Sequence, residues 1–275
     1  MEKSEKPEYR SLENFLISSP LSIDAQLTDA WNTEFTVKGR EIEATVLFGD
    51  MGDFTTRTSK MNSTGTLLFV NEFLTWVTHE AVMLFHGIID KYIGDEIMIV
   101  FSREFGSEDP VVDAVRTARW MGERDVYQFC PHIGIAHGQV TVGYVGTHLR
   151  FECSVFGLPV VLAKRCASIQ PSPESFSSIF LPVELLDNRL AGELSAPRKY
   201  QGPAGRISGV DSSWHILPSR TESLKHLGEI AIVEIANTSV YLRDPSDSER
   251  VNAQLDSLRN QGLYKPSKQP PSEQS

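Results

Sequence analysis

Apolar residues recur along this chain in two rhythms, and the switches between them mark its elements. EIEATVLFG (41–49) is apolar and β-branched and runs into Asp50, Gly52 and Asp53, which predicts a strand closed by a turn. From Thr64 to Phe85, residues Leu67, Leu68, Phe69, Phe73, Leu74, Val77, Ala81 and Leu84 fall at helical spacing. GIIDKYIGDEIMIVF (87–101) is two short apolar runs split by Gly94-Asp95, a two-residue hairpin signal. Val112, Ala114, Val115, Ala118 and Met121 predict a second helix over 109–124. HIGIAHGQVTVGYVG (132–146) reads as a further hairpin with His137-Gly138 near its turn. SVFG (154–157) leads to Pro159, which is favourable at a first helical turn, so a helix is expected over 159–168.

The order β-α-β-β-α-β predicts an α+β fold with a ferredoxin-like core. Residues 1–35 are polar, hold Pro7 and Pro20, and read as an N-terminal arm. The segment 36–243 shows no internal repeat or linker and is expected to be one catalytic-size domain with a C-terminal extension. Residues 244–275 are rich in Ser, Pro, Gln and charge and are expected to form a polar, partly disordered tail.

Composition narrows the partners. With 26 Lys and Arg against 36 Asp and Glu, the net charge of −10 argues against a nucleic-acid binder, which needs clustered positive surface. Cys130, Cys153 and Cys166 are odd in number and lack metal-ligand spacing, which favours a reducing compartment. The charged N-terminus is followed by no apolar signal region, and runs such as IMIVF are far short of the roughly 20 residues that span a bilayer. The expectation is a cytoplasmic protein with no membrane partner.

Asp50 closes one predicted strand and Asp95 sits at a hairpin tip. If the strands are neighbours, the two carboxylates meet at one sheet edge, where they repel unless a divalent cation lies between them. Oxygen ligands shared with phosphates suit Mg²⁺ or Mn²⁺. Phe48 shares the strand face of Asp50 by the period-two rule. The backbone of Gly52, Asp53, Phe54 and Thr55 and the helix start that follows are candidates to hold a triphosphate. His132 and His137 lack partners at ligand spacing and read as structural.

FGDMGDFT (48–55), GIIDKYIGDE (87–96), IGIAHGQV (133–140) and SVFGLPVVLAKR (154–165), in this order, resemble the class III nucleotidyl cyclases over residues 42–170. The resemblance implies that Asp50 and Asp95 bind two metal ions per site, Mn²⁺ or Mg²⁺, with the carbonyl of Met51 as a further ligand. It implies that Arg165 stabilises the pentavalent phosphorus, and that Lys91 and Ser154 contact the base. It also implies a homodimer with shared sites, the aspartates coming from one chain and the arginine from the other. Valine at 161 stands where the family usually has a ribose-orienting asparagine; Leu158 and Asp53 also depart from the frequent residues.

The chain carries no recognisable sensor or membrane segment, and so is similar to the stand-alone pyrimidine cyclases of Pycsar antiphage systems. That likeness implies a lyase that makes cyclic UMP from UTP for a separate effector protein, in antiviral defence. Lys91 and Ser154 as donors to uracil carbonyls, in a pocket narrowed by Phe48 and Phe156, favour the same base. Adenylate cyclisation and a catalytically degenerate binding module are the other readings.

Overall fold

The computed structural model describes residues 9–78, 85–123, 129–147, 150–195, 199–201, 207–209, 214–238 and 246–266. It divides into two compact units. One comprises residues 1–52 and 73–240, the other residues 53–72 and 241–275.

The larger unit is built on one sheet. The core strands are β2 (Glu34–Asp50), β3 (Ile88–Ile93), β4 (Glu96–Phe101) and β5 (His132–Thr147), preceded by α1 (Leu12–Ser18) and β1 (Ile23–Thr28). Their spatial order β5-β2-β4-β3, all antiparallel, is the ferredoxin-like arrangement. The sheet continues beyond β5 through β7 (Ser177–Pro182), β12 (Gly228–Asn237) and β10 (Trp214–Ile216), with β7 parallel to β5. Off this path, β1 pairs with β2, β6 (Arg150–Phe156) with β5, and β11 (Arg220–Leu224) with β12. A separate two-stranded ladder joins β8 (Lys199–Gln201) to β9 (Ile207–Gly209), and α6 (Asn188–Ser195) precedes it.

Alternation along β2 assigns its two faces. Ala44, Val46 and Phe48 join Met98, Val100, Ala136, Leu12, Phe15, Ala163 and Ala167 in one buried cluster, which seats α1 and α5 (Leu158–Ala167). On the other face α4 (Pro110–Glu123) lies close: a Cβ on Gly49 would meet Met121 Cε at 2.7 Å. Gly134 is fixed for the same reason, since a Cβ there would fall 2.0 Å from Ala163 O and 2.2 Å from Ala167 N. Only a glycine lets the α5 backbone descend onto β5 at that point.

The expected strand at 41–49, the 87–101 hairpin and the helices at 109–124 and 159–168 all appear, within a few residues. Two expectations change. The run 132–146 is not a hairpin but one continuous strand, because β5 pairs with β2 in unbroken register from Gly39↔Gly143 to Asp50↔His132. Gly138 takes φ +149 within it and twists the strand without turning it. The 1–35 segment is more than an arm, since Leu12, Phe15 and Leu16 are buried at helical spacing. The helix expected to reach Phe85 is α3 (Ser63–Trp76), and residues 79–84 lie outside the described ones.

The smaller unit contains α2 (Phe54–Thr58) and α7 (Asp247–Asn260), along with the first residues of α3. Arg57 and Asp247 form an ion pair at 2.8 Å, and both are nearly fully buried. Ser246 and Glu249 form a reciprocal capping box that starts α7, so part of the expected polar tail is ordered helix. Residues 267–275 of that tail lie outside the described ones. No helix among the described residues is long and apolar enough to cross a membrane.

Candidate active site

β2 ends on Asp50, which pairs with Glu96 at the start of β4. Asp95 occupies the second position of the two-residue turn that joins β3 to β4, and Gly94 before it takes φ +66. A left-handed φ is costly for residues with a Cβ, so Gly94 fixes the tight turn that sets Asp95 beside Asp50. The two carboxyl groups lie close enough to act on each other's ionisation. Two carboxylates at that range share a proton when no cation separates them.

Electrostatics follow the geometry. Burial, then the hydrogen bond and charge of Asp95, then Glu96, push the Asp50 carboxyl from its ordinary 3.8 up to about 7, with Lys164 acting against them. Burial also raises Asp95. Lys164 of α5 ion-pairs with Glu96 and lies 5.7 Å from the centre of the Phe48 ring. Excess negative charge therefore gathers at this edge. An oxygen-only set of two carboxylates and a backbone carbonyl fits Mg²⁺ or Mn²⁺, and leaves coordination positions open for phosphate oxygens. Among the described residues no cluster of three or more His, Cys, Asp or Glu forms a closed metal cage.

The segment after Asp50 differs from expectation in part. Met51 is buried. The Gly52 N–H donates to Phe129 O at 3.0 Å, so it is not available to a phosphate. A Cβ on Gly52 would lie 2.5 Å from Cys130 O, which explains the glycine as a close backbone approach. Asp53 takes φ +56 and makes no side-chain cap to α2. Phe54 and Thr55 open α2, which at five residues is little more than one turn and has a correspondingly small dipole.

A second constellation lies on β3 and β6. Lys91 ion-pairs with Glu152 at 2.8 Å, and Ser154 Oγ donates to Asp90 Oδ2 at 2.9 Å. Asp90 Oδ2 is also 3.7 Å from Lys91 Nζ. The two expected base-contacting residues are thus brought together, bridged by an aspartate that periodicity did not single out. Phe48 is a core residue, 4% exposed, and Ser154 is 2% exposed. Phe156 is 43% exposed at the end of β6.

Arg165 sits in the last turn of α5 with a buried Nε that has no hydrogen-bond partner. No described contact joins Arg165, Lys91 or Ser154 to the aspartate pair. Beside Arg165, Phe156, Leu158 and Val161 leave apolar side chains exposed. His137 bonds to Thr45 Oγ1 at 2.8 Å and to Glu43 at 2.9 Å, a structural link between β5 and β2.

Solved structures share this architecture. The adenylyl cyclase CyaB from P. aeruginosa aligns with a TM-score of 0.54 and 19% identity over 74% of this chain and 99% of its own. The guanylyl cyclase Cya2 aligns at 0.55 and 21% identity, over 76% of this chain and 98% of its own. The fold matches the cyclase-domain fold of these structures. Sequence relatives include uncharacterised proteins of Mycobacterium bovis and Mycobacterium tuberculosis, 31% identical over 137 residues, 49% of this chain and 24% of theirs. The terminal-differentiation-specific adenylate cyclase of Dictyostelium discoideum is 32% identical over 129 residues, 44% of this chain and 6% of its own. The chain therefore spans about a quarter of the length of the mycobacterial relatives it matches. No protein-family model matches it.

Proposed function

We propose that this protein is a nucleotidyl cyclase, a lyase that converts a nucleoside triphosphate to its 3′,5′-cyclic monophosphate and pyrophosphate. The observation that carries the proposal is the placing of Asp50, at the end of β2, beside Asp95 in the β3–β4 turn at the edge of a cyclase-type sheet. In the reaction the ribose 3′-oxygen bonds to the α-phosphorus, the bond from that phosphorus to the pyrophosphate oxygen breaks, and the 3′-hydroxyl proton passes to solvent. Asp50, Asp95 and the Met51 carbonyl would hold two Mg²⁺ or Mn²⁺ ions, which neutralise phosphate charge and acidify the ribose hydroxyl. Holding the ions would require both carboxyl groups to be ionised. Arg165 supplies N–H donors to charge that grows on the α-phosphoryl oxygens.

One chain leaves the site incomplete, because Arg165 makes no contact with the aspartates. A homodimer with shared sites completes it. The exposed strip of Phe156, Leu158 and Val161 beside Arg165 supports this reading, since exposed apolar patches mark interaction surfaces. The UTP reading keeps Lys91 as a donor to a carbonyl, and a separate effector and a role in antiphage defence go with it. Adenylate formation is the second reading, favoured by the acceptor carboxylate of Asp90 between Lys91 and Ser154. The test is Mn²⁺-dependent turnover by the parent and by Asp95→Ala, with folding checked by circular dichroism. The proposal expects complete loss in a folded variant; near-parent turnover would overturn it.

A further inference from the structure

A lysine in the last turn of a helix ordinarily extends into water, where its charge favours the helix dipole. Lys164 does not. It stands in the last turn of α5, on the face of the sheet that carries Phe48. From there its ammonium lies over the Phe48 ring, 5.7 Å from the ring centre, and ion-pairs with Glu96. Glu96 is the cross-strand partner of Asp50 and the next residue after Asp95. Directly opposed residues hold their Cβ atoms about 5 Å apart, so Glu96 shares the edge with the two aspartates. The charge of Lys164 acts on both of them. Three carboxylates thus face one ammonium at the end of β2.

We propose that Lys164 is a tethered counter-ion that competes with divalent cations for the Asp50–Asp95 edge and so sets the concentration of Mg²⁺ or Mn²⁺ that the edge requires. The inference rests on the cyclase reading above. Like charges crowd at this edge, and a nearby positive charge lowers the cost of holding them together. An ammonium suits the task, because it is a compact charge with three donors on a flexible four-carbon stem. It can neutralise carboxylates and then withdraw. The Lys164 side chain keeps 36% of its surface exposed, which leaves it room to swing into water. An ammonium and a divalent ion at one edge repel each other, so occupancy by the ion comes at the expense of the Lys164–Glu96 contact. A single and a double positive charge about 7 Å apart change binding by about tenfold even at the dielectric constant of water. The consequence is a raised threshold: scarce divalent cations leave the lysine in place, and abundant ones do not. Arg165, the next residue, has no described contact with these aspartates, so the two basic residues that end α5 have separate tasks.

The test titrates Mn²⁺ into the nucleotide-free protein by calorimetry at pH 8.5, where protons compete least for the carboxylates. It compares the parent with Lys164→Met, Lys164→Arg and Lys38→Met. Lys164→Met keeps an apolar stem without the charge and should bind Mn²⁺ about tenfold more tightly. Lys164→Arg keeps the charge and should stay within about threefold of the parent. Lys38 lies near the other end of β2, about 40 Å of strand from Asp50, so Lys38→Met makes the same change in net charge and should leave Mn²⁺ binding as it is. A purely structural lysine would weaken the site on removal or leave it alone; loss of a competing charge tightens it. Unchanged or weaker Mn²⁺ binding by Lys164→Met, or equal tightening in Lys164→Arg or Lys38→Met, would overturn the proposal while parent binding leaves the cyclase reading standing. Binding seen only in Lys164→Met supports the proposal. If neither the parent nor Lys164→Met binds Mn²⁺, the proposal falls together with the two-metal reading. Should Lys164→Met not melt cooperatively, Lys164→Gln takes its place with the same expected results.

Discussion

Replacing Asp50 with asparagine should make the metal-free protein more stable at neutral and alkaline pH, although it removes a residue placed at the centre of the chemistry. In the fold the Asp50 carboxyl titrates at about 7 instead of 3.8, because burial and Asp95 disfavour its charge. Between pH 4 and 7 the folded protein therefore holds a proton that the unfolded chain has released. Stability from this group falls as pH rises through that window and is flat above it. The gap is about three pH units, and about 1.4 kcal/mol per unit sets a ceiling near 4 kcal/mol. Partial solvent access and the compensating Lys164 reduce this to about 2 kcal/mol. For a chain of this size that is a rise of about 4–8 °C in Tm. Thermal melts in EDTA should show Asp50→Asn above the parent by this amount at pH 8 and level with it at pH 4. Adding Mn²⁺ should raise the parent and leave the variant nearly unchanged, because ligand binding stabilises only the chain that binds. A variant equal to or less stable than the parent at pH 8 in EDTA would refute the crowded-carboxylate geometry.

Mixing Asp50→Ala chains with Arg165→Ala chains should restore about a quarter of parent activity, since half the dimers are mixed and each holds one intact site of two. No rescue in dimers shown to be mixed would count against shared sites. Gly134→Ala should cost about 3 kcal/mol in chemical denaturation, because its methyl would meet α5 backbone atoms that cannot rotate away; a change below about 0.5 kcal/mol would mean that α5 is not seated there. Glu234 is disfavoured as a charge by burial, yet hydrogen bonds from Ser172, Ser178 and Arg220 hold its carboxyl below the usual range. Glu234→Gln should therefore lose about 1–3 kcal/mol at pH 7, a loss that shrinks once the pH falls below the ordinary glutamate range and the parent glutamate protonates.

The sequence was most legible where structure is local. Gly94-Asp95 between two apolar runs specified its hairpin because a two-residue turn leaves few backbone options, and that hairpin delivers one aspartate of the proposed metal pair. β5 was misread because Gly138 interrupts the alternation, and only its long partner β2 holds it straight. The α1 helix and the α7 cap had readable signals, Leu12, Phe15 and Leu16 at helical spacing and Ser246 with Glu249. Polar composition around them outweighed those signals. Asp90 was beyond reach for a different reason. Its inward aim comes from a bulge, and a bulge depends on how β3 meets β4, not on the residues of β3 alone. Arg165 could be named from its motif, but its unpaired Nε is visible only in the fold.

The central claim is that Asp50 and Asp95 support ring closure on a nucleoside triphosphate. The direct measurement incubates the purified protein with ATP, GTP, CTP and UTP in turn with Mn²⁺, and resolves the products by mass spectrometry with a parallel pyrophosphate assay. The account predicts a 3′,5′-cyclic monophosphate and pyrophosphate in equal amounts from at least one nucleotide, and neither from Asp50→Ala. Linear mono- or diphosphates alone, or no product from any of the four while the folded protein binds them, would contradict it.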